Sequence, residues 1–326
     1  MRIVFHGENA SSFSGGFAAL VGSGAEITIL PDVLSTAAER QAYAQADVIV
    51  GVRFDASLPR PEKLRLFHVP GAGYDAVDLT LLPASAVVCN CFGHEQAIAE
   101  YVMTALLMRH VPLADADQRL RRGDWAYWAG APERAHDEMA GKTIGLLGFG
   151  HIGKAVAARA KAFEMEVVVA NRSAVAASAL VDRAFTLDAL DTFWGTFDYL
   201  VVSVPLTDET RGIVGASAFA AMRPSAVVVN VGRGPTIDEQ ALFDALKSNR
   251  IAGAIIDTWY AYPGPDRKNV LPSSLPFHEL PNVVMTPHMS GWTSGTIRRR
   301  QRTIADNVRR RAAGEPCTNV VRGETV

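Results

Sequence analysis

The run Gly148-Phe149-Gly150-His151-Ile152-Gly153 constrains this chain more than any other feature, because of what flanks it. An apolar stretch at 143–147 precedes it, a helical stretch rich in alanine follows at 154–163, and a second apolar stretch stands at 166–170. Strand, glycine turn, helix and strand within about 30 residues describe a βαβ unit for a dinucleotide. The glycines allow a tight turn and let the backbone approach a pyrophosphate. There the free N–H groups and the dipole of the helix start favour an anion. A glycine-rich turn with no ligand is the alternative. The flanking strands and helix favour Gly148, Gly150, His151, Ile152 and Gly153 as cofactor-binding residues.

The motif lies mid-chain, so the first ~100 residues, a normal domain size, must fold as something else. Apolar runs at 2–5, 25–30, 47–52, 64–69 and 86–89 alternate there with helical stretches. That alternation predicts a second, smaller α/β domain of flavodoxin-like type. After the motif, apolar runs recur at 199–204, 226–231, 253–256 and 283–285. With the two strands around the motif they make six, the pattern of a doubly wound parallel Rossmann sheet. Helices are expected at 95–110 and 293–313.

Composition excludes several function classes. The net charge of −2 gives no pull toward nucleic acid or an anionic membrane. The arginine-rich last helix, with Arg298 to Arg300, Arg302 and Arg309 to Arg311, reads as a solvated face. No stretch approaches the roughly 20 apolar residues of a membrane span, and the N-terminus is too short in apolar residues for a signal peptide. Cys89, Cys91 and Cys317 form neither a disulfide framework nor a zinc pattern. Free thiols and a cytoplasmic location are expected. His94-Glu95 lacks a second histidine at zincin spacing, so no metal is expected.

Ligands of open α/β sheets bind at the carboxyl ends of the strands. Arg233 follows the run ending at Val231-Gly232, Asp257 ends 254–256, and His288 follows Met285-Thr286-Pro287. Each has a bland alternative: a surface ion pair, a helix cap, a loop histidine. Together they suit one chemistry. A carbonyl beside a carboxylate needs a fixed cation, and arginine's planar fork holds the acid while polarising the carbonyl. Hydride arriving at that carbon leaves an alkoxide, to which a histidine can give a proton.

With these residues in place, the chain resembles the D-isomer-specific 2-hydroxyacid dehydrogenases over nearly its whole length. The resemblance runs through Gly71-Ala-Gly-Tyr-Asp75, Ile98-Ala-Glu-Tyr101, Gly141 to Gly153, Pro205-Leu-Thr-Asp-Glu-Thr210, Asn230-Val-Gly-Arg-Gly234, Gly253-Ala-Ile-Ile-Asp257 and Thr286-Pro-His-Met-Ser-Gly291. It implies that Arg233 binds the substrate carboxylate and carbonyl, and that His288 is the acid/base. Gly71, Ala72 and Gly73 would offer substrate their backbone N–H groups. Val204, Pro205, Thr210, Val231, Gly232, Asp257, Ser290 and Gly291 would join the motif in holding the cofactor, with Asp257 near the nicotinamide. It also implies a discontinuous substrate-binding domain, 1–103 with 291–326, around a dinucleotide domain at 104–290, and a homodimer; Trp125-Ala-Tyr-Trp128 reads either as part of its contact or as packed core aromatics.

Two departures from the family pattern matter. Its histidine is usually paired with a glutamate five residues after the aspartate. Here that place holds Tyr262, the third expected catalytic residue. A neutral phenol favours charged imidazole far less than a carboxylate does, so reduction is expected to fall away at a lower pH than in glutamate-bearing relatives. Glu279 is an alternative carboxylate. The neutral residue also brings the chain nearer the formate dehydrogenase branch, although His94 stands where that branch has asparagine. His94 is either a pocket residue or a surface loop histidine. Second, the strand after the motif ends in Asn171-Arg172-Ser173, with no carboxylate for the ribose hydroxyls of NAD. Arg172 and Ser173 suit a 2′-phosphate, so NADP(H) is expected over NAD(H). The expected activity is hydride transfer between that cofactor and a small 2-oxoacid/2-hydroxyacid pair of the glyoxylate or hydroxypyruvate class. The rivals are formate-type oxidation and a non-catalytic cofactor-sensing protein.

Overall fold

Every expected apolar run becomes a strand, and the strands collect into two open sheets. The computed structural model describes residues 1–130, 132–264 and 267–323. The chain divides into two units, Met1–His94 with Pro263–Lys268 and Trp292–Val326, and Glu95–Tyr262 with Asn269–Gly291.

In the first unit, numbering strands along the chain, β1 (Arg2–His6), β2 (Glu26–Leu30), β3 (Val48–Gly51), β4 (Leu66–His68) and β5 (Val87–Cys89) run parallel. A sixth strand, β13 (Val320–Arg322), pairs antiparallel with β5 and completes the order β13-β5-β4-β3-β1-β2. It is three residues long and half-buried, too short for periodicity to announce. Helix Ala37–Ala44 starts with a capping box. Thr36 accepts from Glu39 N at 3.2 Å, and Glu39 accepts from Thr36 N at 2.8 Å.

The last helix, Ser294–Ala313, lays Ile304, Ala305 and Val308 against Ile3, Phe5, Val48 and Leu66. Its arginines do more than face solvent. Arg299 donates to Gly93 O at 2.7 Å, Arg309 to Leu20 O at 2.7 Å and Arg311 to Arg65 O at 3.1 Å, tying the helix to loop carbonyls.

Between that helix and the sheet lies a buried histidine, His68. Its Nδ1 is 3.2 Å from Val69 O, and its Nε2 is 3.0 Å from Asn307 Nδ2. A neutral ring that donates from Nδ1 and accepts at Nε2 satisfies both contacts. Burial pushes its pKa down to about 4. The unfolded side chain titrates near 6.5, so below that pH the unfolded state gains a proton that the folded state refuses. The associated stability is intact above pH ~6.5 and is lost as pH falls toward ~4, amounting to about 3 kcal/mol. Thermal melts at about pH 7.5 and about pH 4.5 should show the native protein losing more stability on acidification than a His68→Gln variant. Equal losses would assign the acid sensitivity elsewhere.

In the second unit, β6 (Thr143–Leu147), β7 (Glu166–Asn171), β8 (Arg183–Thr186), β9 (Tyr199–Val202), β10 (Val227–Asn230), β11 (Gly253–Ile256) and β12 (Val283–Met285) are all parallel. Their order is β12-β11-β10-β9-β6-β7-β8. Six were expected. The added β8 is an edge strand, Arg-Ala-Phe-Thr, with no apolar run to mark it. β6, β9, β10 and β11 are buried at every residue, because helices cover both faces. Helix Glu95–His110 packs here as a whole: its Ile98, Ala99 and Val102 share a core with Val156, Ala157 and Ala160 of helix His151–Ala162. The expected domain boundary at 103/104 falls inside this helix.

Candidate active site

The glycine motif is shaped by close approach. Gly148 follows β6 with φ +99°, a conformation that favours glycine. A Cβ on Gly153 would lie 2.3 Å from Gly148 O, and one on Gly232 would lie 2.9 Å from Val204 O. At Gly150 a Cβ would meet nothing within 4 Å, and Gly150 caps helix His151–Ala162 with no side-chain hydrogen bond. The helix start therefore opens onto space bounded by backbone, which fits the pyrophosphate of a dinucleotide. On one side, Asn171 at the end of β7 accepts from Phe149 N at 3.2 Å and donates to Ser173 O at 2.9 Å. Its amide braces the motif while Arg172 and Ser173 stand exposed beyond it. On the other side, the segment Val204 to Thr210 is folded by Thr210, whose hydroxyl accepts from Thr207 N at 2.8 Å and donates to Pro205 O at 2.6 Å.

Arg233, Asp257 and His288 follow β10, β11 and β12, three adjacent parallel strands in which Asn230 pairs with Ile256 and Ile256 with Met285. The topology thus brings all three to the same sheet end. Arg233 is half-buried. Its carbonyl accepts from Asn230 Nδ2 at 3.1 Å and from the Thr236 hydroxyl at 2.6 Å, and Asn230 Oδ1 accepts from Gly232 N at 3.1 Å. A Cβ on Gly234 would lie 2.2 Å from Trp259 O. The backbone of the turn is set by Asn230, Thr236 and Gly234, and the guanidinium also donates from Nη1 to Gly232 O at 3.0 Å.

Asp257 is 0% exposed, and its carboxylate works on the histidine loop. Oδ1 accepts from the Thr286 hydroxyl at 2.6 Å and from Met289 N at 2.8 Å, and Oδ2 accepts from Ser290 N at 2.9 Å. Thr286 Oγ1 also lies 2.7 Å from Tyr101 Oη, and Thr286 O accepts from Trp259 Nε1 at 2.8 Å. Burial pushes the Tyr101 phenol up to about 12, so it is a neutral partner at ordinary pH. On this pedestal His288 adopts φ +57°, an uncommon conformation for a non-glycine residue that the surrounding bonds impose. Its ring stands 5.6 Å from that of Tyr262, tilted by 49°. The Tyr262 hydroxyl accepts from Trp259 N at 3.0 Å, while Glu279 lies 3.9 Å from the His278 ring.

Sequence reasoning missed the supports Tyr101, Asn230, Trp259 and Thr286, although the first, second and fourth lie inside segments it singled out. In the first unit, the loop after β4 holds Gly71, whose carbonyl accepts from Cys91 N at 2.9 Å, and Ala72, whose carbonyl accepts from Asn90 Nδ2 at 2.8 Å. Gly73 follows them, half-exposed. His94 is buried, with 9% exposure, and is not the surface histidine of its bland alternative.

Comparison with known proteins adds four findings. Residues 102–290 match the family model described as D-isomer specific 2-hydroxyacid dehydrogenase, NAD binding domain. The chain is 31% identical over 294 residues to glyoxylate/hydroxypyruvate reductase B of Citrobacter koseri, covering 86% of this chain and 87% of that one. It is 31% identical over 288 residues to D-3-phosphoglycerate dehydrogenase of Methanocaldococcus jannaschii, covering 85% of this chain and 52% of that one. The crystal structure of an NADPH-dependent glyoxylate/hydroxypyruvate reductase from Sinorhizobium meliloti, in complex with NADP and malonate, aligns with a TM-score of 0.77 and 26% identity, over 98% of this chain and 96% of that one.

Proposed function

Since the chain belongs to the D-isomer specific 2-hydroxyacid dehydrogenases, we propose that it reduces small 2-oxoacids of the glyoxylate and hydroxypyruvate class and uses NADP(H) in preference to NAD(H). It is an NAD(P)-dependent oxidoreductase acting between a 2-oxoacid and its 2-hydroxyacid. The observation that carries the reading is the common sheet end shared by Arg233 and His288, each on a turn fixed by other residues.

When bound, the nicotinamide supplies the hydride. The motif residues Gly148, Gly150, His151, Ile152 and Gly153 would hold its pyrophosphate, with Val204, Pro205, Val231, Gly232, Ser290 and Gly291 along the remainder. Arg233 grips the substrate carboxylate and polarises the neighbouring carbonyl. His288 gives a proton to the alkoxide in reduction and takes one in oxidation. Asp257, Thr286 and Tyr101 position it. Gly71, Ala72, Gly73 and His94 are proposed substrate contacts of the first unit.

The cofactor preference rests on Asn171-Arg172-Ser173. With Asn171 turned onto the motif and no carboxylate at the strand end, nothing there repels a 2′-phosphate, and exposed Arg172 can pair with one. The test is NADPH and NADH oxidation with glyoxylate, hydroxypyruvate, pyruvate and phenylpyruvate. NADPH should be favoured in kcat/KM, and Arg172→Ala should cut that preference by about tenfold, one charged pair. An unchanged cofactor ratio would remove Arg172 from the argument. No turnover with any of these acids, despite cofactor binding, would favour formate-type oxidation or the sensing role.

No helix among the described residues is long and apolar enough to cross a membrane, and we place the protein in the cytoplasm as a homodimer. Support for the dimer comes from an exposed apolar surface at Leu113, Leu120, Trp125, Tyr127 and Trp128. Tyr127 donates to Asp115 at 2.8 Å, which holds the aromatic segment to helix Leu113–Leu120. Sedimentation should give twice the 35.0 kDa chain mass, and Trp125→Glu should shift it to the monomer. A native monomer would overturn the dimer.

A further inference from the structure

Two thiols come together beside β13, on the edge side of the first unit's sheet. Cys89 closes β5, fully buried, and the Cys317 thiol donates to Asn307 O at 3.6 Å. Cys317 is half-buried, between helix Ser294–Ala313 and β13, and packs on the apolar cluster that holds Cys89. The backbone imposes the approach. Val320 is the antiparallel partner of Cys89, and Asn90 N donates to Asn319 O at 3.1 Å. Asn319 turns with φ +56°, and Asn307 clamps the turn, accepting from Thr318 N at 2.8 Å and donating to Thr318 O at 3.0 Å.

The two environments differ. Cys317 is lowered from the ordinary thiol range, first by the neighbouring Cys89 thiol and then by the guanidinium groups of Arg311 and Arg310, against burial and the Asp306 carboxylate. Cys89 is raised, by the neighbouring Cys317 thiol and by burial. A partly exposed, thiolate-prone cysteine beside a second thiol is the arrangement on which peroxide acts selectively.

We propose that Cys317 and Cys89 are a redox modification site, which hydrogen peroxide converts to a disulfide joining β5 to the segment that leads into β13. The Cys317 thiolate attacks one peroxide oxygen, the O–O bond breaks, and hydroxide leaves, giving a sulfenic acid. The Cys89 sulfur then attacks the Cys317 sulfur, the S–O bond breaks, and the departing hydroxide takes the Cys89 proton as water. Two thiols are oxidised and one peroxide is reduced to two waters. Cys91 stays outside the reaction: it is fully buried, burial pushes its thiol up to about 12, and it donates to Arg300 O at 3.7 Å.

The test uses the intact protein, treated with a small excess of hydrogen peroxide at near-neutral pH, then alkylated under denaturing conditions, digested and read by mass spectrometry. A Cys89–Cys317 linked peptide is expected, lost on reduction by dithiothreitol, with Cys91 alkylated. In Cys317→Ser, Cys89 should remain alkylatable. In Cys89→Ala, Cys317 should accumulate as a dimedone-reactive sulfenic acid. Cys317 recovered unlinked from the oxidised native protein, or a Cys89–Cys91 link, overturns the proposal. That reading needs no variant to fold.

Discussion

Arg233→Ala is expected to lower kcat/KM for a 2-oxoacid by about 10³- to 10⁴-fold while the Kd for NADPH moves by less than about threefold. The reduction corresponds to about 4 to 5.5 kcal/mol of transition-state stabilisation at 1.36 kcal/mol per decade. That is large for one side chain. It is the scale for a charged fork that both anchors an acid and faces developing negative charge. The backbone of the turn keeps most of its bonds in the variant, which gives up the guanidinium's own bond to Gly232 O. Asn230 and Thr236 bond the Arg233 carbonyl, and Gly234 packs against Trp259 O. Turnover that survives would sink the substrate-gripping role. Loss of NADPH binding alongside turnover would mean that Arg233 shapes the cofactor site instead. A pure sensor would keep cofactor binding and show no activity to lose.

His288→Asn should cost about 10²- to 10⁴-fold in kcat, the usual contribution of a positioned proton donor. Asparagine is the right replacement because it tolerates the left-handed backbone that His288 adopts, whereas alanine would add strain to the chemical loss. Its companion is Tyr262→Glu. A carboxylate in that place can accept from Trp259 N as the phenol does, and it favours a charged imidazole. The acid form of His288 would then persist to higher pH, and the pH at which reduction falls away should rise by about one unit. An unmoved profile would mean that position 262 does not govern the histidine. Fully retained activity in His288→Asn would remove the residue from catalysis altogether.

How much of this was written in the sequence depends on the range of the interaction. The motif, the six core strands of the coenzyme unit and the polar residue after each of β10, β11 and β12 were legible, because apolar runs and their ends are local patterns. β8 was not, since an edge strand needs no continuous apolar run, and β13 was too short to show one. The supports of the site were illegible for a different reason. Tyr101 meets Thr286 across 185 residues and Asp257 meets Ser290 across 33, so their partnership exists only once the strands are ordered. Asp257 itself was recognised, but not the direction in which its carboxylate works. The arginines of the last helix looked like a solvated face because a charge run gives no hint of the carbonyls it will meet.

The way Asp257 holds the segment from Thr286 to Ser290 separates scaffold from reagent. None of its three bonds involves the side chain at 288 or at 262. Those two positions behave like bits in one chuck: a side chain that suits the left-handed backbone at 288, or one at 262 that still accepts from Trp259 N, can be mounted while the holder stays clamped. Redesign of the proton chemistry can therefore proceed at 262 and 288 alone. A change at 257 would instead loosen whatever had been mounted there.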